Sequence, residues 1–165
     1  MKGDDAEEFT TFVQATGARL HRAALLLTGD HHLAEDLTQA TYAKVFASWR
    51  KVTAADNQLS YARTVLLNTY LSHRRLRRNS EQPRDLGAEV DSMVGEQDSA
   101  TRLDLLGALS TLEPLDRAVV ILRYWEDRSV ADVAFDLGLS DTGVRTRARR
   151  ALARLRPLVS ERTPS

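Results

Sequence analysis

Residues 129–156 read SVADVAFDLGLSDTGVRTRARRALARLR. Ser129 with Asp132 three residues on has the form of a capping box, which opens a helix. Gly138 is placed to end that helix, and Ser140 to cap the next. A short helix, a glycine-containing turn and a second helix make a helix-turn-helix. Ala134 is the small residue where the two helices approach. At about 100° per residue, Val144, Ala148, Ala151, Leu152 and Leu155 gather on one face of the second helix. Thr142, Thr146, Arg149, Arg150 and Ala153 gather on the opposite face, with Arg145 and Arg147 on the flanks. An apolar face opposite a basic, hydroxyl-bearing one suits the DNA major groove. There arginine pairs with guanine and threonine meets base edges or phosphate. Asp141 favours the N-terminus of the second helix.

The rest of the chain sets the context. It has 165 residues, 42% of them hydrophobic, enough for one ordinary domain or two small ones. No apolar run approaches the roughly 18 residues of a membrane span. The start, MKGDDAEEFTTF, lacks the basic-then-apolar order of a signal peptide, so the expected location is the cytoplasm. The absence of cysteine excludes disulfides and thiolate metal sites. His21, His31, His32 and His73 form no ligand pattern, so neither a metal nor a cofactor is expected.

The formal net charge is zero, but it is unevenly distributed. Residues 1–40 carry −4, 41–80 carry +7, 81–116 carry −7 and 117–165 carry +4. Two basic blocks separated by an acidic one suggest two polyanion-facing surfaces. Periodicity predicts helix almost throughout. The first helix carries Phe9, Phe12, Val13, Leu20, Ala24 and Leu27, and Gly29 stops it. A second, from about His31 to Trp49, is capped by Asp30 and carries Leu33, Leu37, Thr41, Val45 and Trp49. Residues 51–59 show no clear period. A third helix runs from about Ser60, a plausible N-cap, to Arg78. It is acid-free, packed on more than one side, and crowded with arginine at its end. Residues 79–100 read as a linker that could carry a short helix around 86–94. Four short helical segments come after it. One carries Leu103, Leu106, Leu109 and Leu112, and Pro114 starts the next. In that segment Leu115, Val119, Leu122 and Trp125, or Val120 and Tyr124, are the inward candidates.

Taken in order, three segments resemble the extracytoplasmic-function sigma factors, the minimal two-domain group of the sigma-70 family, and most of all small actinobacterial members. They are LLLTGDHHLAEDLTQATYAKVFASW, SYARTVLLNTYLSHRRLRR and the stretch from Leu112 to Arg156. The resemblance implies an all-α fold of two small helical domains. Region 2 would occupy residues 1–79, an acidic linker 80–100, region 4 with its helix-turn-helix 101–157, and a polar tail 158–165. It implies that Glu35, Asp36, Leu37 and Gln39 bind the β′ clamp helices of core RNA polymerase. Ala40 stands where the family usually has glutamate. It implies that Val52, Asn57, Arg63, Asn68, His73, Arg74 and Arg77 contact the promoter −10 element. Thr142, Arg145, Thr146, Arg149 and Arg150 would contact the −35 element, with Gly143 displaced by one position from the family's common form. The expected partners are core polymerase, also through its β flap, and promoter DNA. An anti-sigma factor clamped between the domains is a further partner that the linker permits. No catalytic residue is expected. The competing reading is a helix-turn-helix regulator that never engages polymerase. It leaves AEDLTQ and the second basic helix unexplained. A metal-dependent nuclease would need convergent carboxylates, and Glu35 and Asp36 diverge on their helix.

Overall fold

The computed structural model of the chain describes residues 3–80 and 99–160, the side chains of 75–80, 99–103 and 159–160 excepted. The described residues form helices and no strand. The expected linker, 80–100, lies outside the described residues apart from its ends.

The N-terminal half comprises α1 (Gly3–Thr28), α2 (His31–Ala47), α3 (Trp49–Ala54) and α4 (Gln58–Ser80). Gly29 ends α1 with φ +72, a left-handed conformation that costs glycine nothing. Asp30 then accepts a hydrogen bond from Leu33 N at 3.0 Å and caps α2. Ser48, at φ −112 and ψ 27, breaks the second expected helix, so Trp49 and Val52 belong to the separate short α3. The cap of α4 is Asn57 rather than Ser60: its Oδ1 accepts from Ser60 N at 2.9 Å. Phe12, Leu20, Val45, Trp49, Val52 and Ala62 form a core within this half. The edges of Phe9 and Tyr42 pack around it.

The C-terminal half comprises α5 (Ser99–Ser110), α6 (Pro114–Val120), α7 (Val130–Leu137) and α8 (Asp141–Ser160). Pro114 stands in the first turn of α6, where its missing N–H is harmless. Residues Ile121–Trp125 widen into a π-helical turn, in which Glu126 N donates to Ile121 O, five residues back, at 3.0 Å. Ala118 to Leu122 are all buried, while Tyr124 and Trp125 are exposed, contrary to the inward positions expected for them. The α6 segment is buried so fully because it meets α1 and α4 on one side and α8 on the other. The extra residue of the π turn shifts the helical register of the residues after it. Ser129 Oγ accepts from Asp132 N and Ser140 Oγ from Gly143 N, at 3.0 and 2.9 Å. Gly138 ends α7 at φ +68. The last helix passes through Pro157 to Ser160, so the expected polar tail begins as helix.

The two halves share one apolar core. Leu26, Leu27, Leu37, Leu66 and Leu67 from the first pack in the same cluster as Leu106, Leu109, Val119, Ile121 and Val144 from the second.

Candidate nucleic-acid interface

The helix-turn-helix is built as its caps dictate. Val144, Ala148, Ala151 and Leu155 are buried, which fixes the rotation of α8. Thr142, Arg145, Thr146 and Arg149 are therefore exposed together on its outer side. Arg145 and Arg149 have no ion pair among the described residues. Arg150 is placed differently. Its guanidinium forks onto Asp116 of α6, Nη2 lying 2.9 Å from each carboxylate oxygen and Nε 3.1 Å from Oδ2. Arg147 Nη1 reaches the same carboxylate at 2.7 Å. Asp116 is only 5% exposed. One flank of α8 is thus tied to α6, and four of the five −35 candidates remain on the open face.

Glu35, Asp36 and Gln39 are exposed along α2, whereas Leu37 is buried in the shared core. Leu37 cannot meet a partner directly; it anchors the face that carries the other three. A cavity of about 230 Å³ beside Asp36 is also lined by Tyr70, His73 and Arg74, so the polymerase and −10 candidates adjoin there.

The remaining −10 candidates divide by burial. Asn68 and His73 are exposed on α4 and Arg74 is half-buried. Asn57 is exposed but its side chain serves as a cap. Val52 is fully buried, which places its side chain in the core, out of reach of DNA. The side chain of Arg77 lies outside the described residues. Arg63 is 6% exposed, and its Nη2 lies 3.3 Å from Glu126 Oε2 in the C-terminal half. Burial pushes its guanidinium below the ordinary arginine value, and Glu126 pulls it back. A cleft of about 570 Å³ separates Tyr61, Thr64 and Asn68 on α4 from Arg128, Phe135 and Asp136. Thr64 Oγ1 donates across it to Asp136 at 3.4 Å. Phe135 is 88% exposed at its rim. In this closed arrangement the C-terminal half covers Arg63 and borders Thr64, while Asn68 and His73 stay exposed.

Arg117 supplies the deepest polar contact between the halves. Its Nε donates to Leu26 O at the end of α1, 2.8 Å away, satisfying a terminal carbonyl as a cation at a helix C-terminus should. Burial pushes its guanidinium down to about 10, with Tyr70 opposing the shift.

Sequence reasoning missed Asp116, Arg117, Arg19 and Glu126. Asp116 left a signal: it stands three and four residues before the apolar Val119 and Val120, and an acid on a buried stripe needs a cation. Glu126 left none, since its partners lie 63 and 107 positions away.

Among the described residues, no group of three His, Cys, Asp or Glu could hold a metal, and no helix is long and apolar enough to cross a membrane.

Comparison with known proteins agrees with this architecture. Residues 12–80 match the family model for sigma-70 region 2, and residues 102–155 that for sigma-70 region 4. The chain is 35% identical over 151 residues to an RNA polymerase sigma-E factor of Streptomyces coelicolor, covering 90% of this chain and 84% of that one. It is 31% identical to the ECF RNA polymerase sigma factor SigL of Mycobacterium tuberculosis, covering 87% and 84%. Among solved structures it resembles the sigma factor RpoE of Bartonella quintana, crystallised in complex with the anti-sigma factor NepR. The TM-score is 0.74 at 25% identity, over 95% of this chain and 99% of that one.

Proposed function

The chain belongs to the extracytoplasmic-function sigma factors of the sigma-70 family, and from that premise we infer how its two halves divide the work. It is a promoter-specificity subunit that binds core RNA polymerase and promoter DNA to initiate transcription. The division of labour rests on one observation: a single chain exposes an acidic and amide face on α2 and a basic, hydroxyl-bearing face on α8. Glu35, Asp36 and Gln39 offer acceptors to a basic partner helix of polymerase, the β′ clamp helices. Thr142, Arg145, Thr146 and Arg149 enter the −35 major groove, the first residues reading bases and Arg149 adding a bidentate or phosphate contact. Arg150 contributes at the edge, because Asp116 holds it.

The −10 element falls to α4, through Asn68, His73, Arg74 and Arg77, joined by Arg63 once the C-terminal half moves away. Asn57 orders the preceding loop. A melted strand is held by stacking and a positive groove, and extruding a base costs a few kcal/mol, which a shaped pocket offsets. The protein contributes binding energy and no catalytic group of its own, and it works where polymerase works, in the cytoplasm. The linker would run near the polymerase's RNA exit path and the C-terminal half would meet the β flap. An anti-sigma factor is a fitting regulator, since the two halves offer surfaces that a third chain can clamp.

Run-off transcription with core polymerase and this chain on fragmented genomic DNA tests the reading. Specific transcripts are expected, sharing upstream elements. Arg149→Glu should abolish −35-dependent transcription while core binding persists. Equal loss of core binding would refute the division of labour. A chain that binds DNA but fails to pull down core polymerase at low salt would instead be a regulator acting alone.

A further inference from the structure

Arg19 and Arg63 come from different helices of the region-2 half, α1 and α4, yet converge on one oxygen atom. Arg19 Nε and Arg63 Nη2 each lie 3.3 Å from Glu126 Oε2. Glu126 follows the π turn of the region-4 half, and its side chain is 8% exposed. Arg63 is buried to a similar degree, and its Nε has no hydrogen-bond partner. Arg128, two residues further along the chain, does not join this cluster by hydrogen bond; it is tied to Asp132 and Asp136 at 3.6 and 2.8 Å. The acid opposite Arg19 and Arg63 therefore belongs to the other half. When the halves part it leaves with that half, and two guanidinium groups remain together with an unused N–H donor. Guanidinium groups converging from two elements on one anionic oxygen suit a phosphate, whose oxygens accept several N–H donors at once.

We propose that Arg19 and Arg63 form a binding site for a phosphodiester of the DNA backbone, and that Glu126 occupies this site in the free chain as an internal competitor. The inference rests on the sigma-factor reading and adds the regulation of its −10 face. In the free chain, whose halves are joined by their shared apolar core, a carboxylate holds the phosphate position. Binding to DNA exchanges Glu126 for a phosphate and uncovers the part of α4 that holds Arg63 and Thr64. Polymerase would assist by holding the two halves apart. Arg19 supplies an exposed handle on the site, its side chain being 54% exposed, so its removal leaves the core untouched.

The test is fluorescence anisotropy of the full chain with a fluorescein-labelled 20-nucleotide single-stranded DNA of mixed sequence, titrated at several salt concentrations. Glu126→Gln keeps the side chain's shape and removes its charge. It should bind about 10-fold tighter than wild type, the low end for a charge-assisted contact because both distances are long. Its dependence of log K on log salt should steepen by about 1.4, two contacts at about 0.7 each on single strands. Adding Arg19→Gln should remove at least threefold of that gain, and Arg63→Gln should do the same where the variant folds. Asp127→Asn, the same charge change one residue on, should alter binding less than twofold. The proposal is overturned if Glu126→Gln binds no tighter than wild type, if Asp127→Asn matches its gain, or if Arg19→Gln leaves the gain intact. Run-off transcription separates this inference from its premise. A wild-type chain that transcribes while Glu126→Gln binds unchanged overturns the competitor alone. A wild-type chain that supports no transcription overturns the functional reading and this inference with it.

Discussion

Replacing Asp116 with alanine should destabilise the protein by about 2 kcal/mol. The carboxylate is 5% exposed and accepts from two arginines of α8. Stranding a buried charge by removing its partner costs about 3–5 kcal/mol, whereas exposed pairs contribute below about 1 kcal/mol. The site lies between these limits because the arginine side chains are 29% and 57% exposed. Once released, Arg150 can turn into water. Arg147 is held closer, at 2.7 Å, and has less water to turn to. Its share is about 1.5 kcal/mol and that of Arg150 about 0.5 kcal/mol. Urea denaturation followed by helical circular dichroism gives the midpoint shift, and thermal unfolding should move down by about 4–8 °C. Double-mutant cycles with Arg147→Ala and Arg150→Ala apportion the loss. The larger coupling should fall on Arg147, although Arg150 has the forked geometry. A total loss below about 0.5 kcal/mol, or a larger coupling on Arg150, would refute the argument that burial outweighs bond count here.

Ser129→Ala removes the cap of α7 and should cost about 1 kcal/mol in the same denaturation assay. Gly138→Ala should cost about 1–2 kcal/mol, since φ is +68 and no atom stands within 4 Å of the added Cβ. Gly29→Ala should cost more, because at φ +72 its Cβ would also come within 3.2 Å of Arg117 Nη2, on a side chain pinned to Leu26 O. Calorimetry on the pair checks the ranking. The His21 imidazole is pushed below its ordinary value by burial and by His31, against the pull of Glu35. The unfolded chain therefore takes up this proton first as pH falls. Stability should drop as pH falls from the ordinary histidine value, 6.5, toward the lower folded one, and His21→Gln should flatten that slope in urea melts at stepped pH.

Much of the helical architecture was legible from local signals. Asp30, Pro114, Ser129, Gly138 and Ser140 do their capping or terminating work within a few residues, so their chemistry is readable from neighbours. The apolar stripe of α8 was equally plain, because Val144, Ala148, Ala151 and Leu155 repeat at the helical period. Trp125 was misjudged because a π turn is not written in any periodicity. Asn57 and Ser60 both suit an N-cap, and only the backbone geometry chose between them. Arg150 looked like its neighbours Arg145 and Arg149; its partner lies on another helix, 34 positions away.

The sequence by itself determined most of the helices, their order, the helix-turn-helix and the family, because these depend on short-range periodicity, caps and ordered motifs. The tertiary structure decided which charges are open to a partner. Arg147 and Arg150 are tied by Asp116, Arg19 and Arg63 by Glu126, and the end of α1 by Arg117. A helix face presents all its arginines alike until another element brings a carboxylate or carbonyl within about 3 Å. That approach is set by how the two halves bury their shared core.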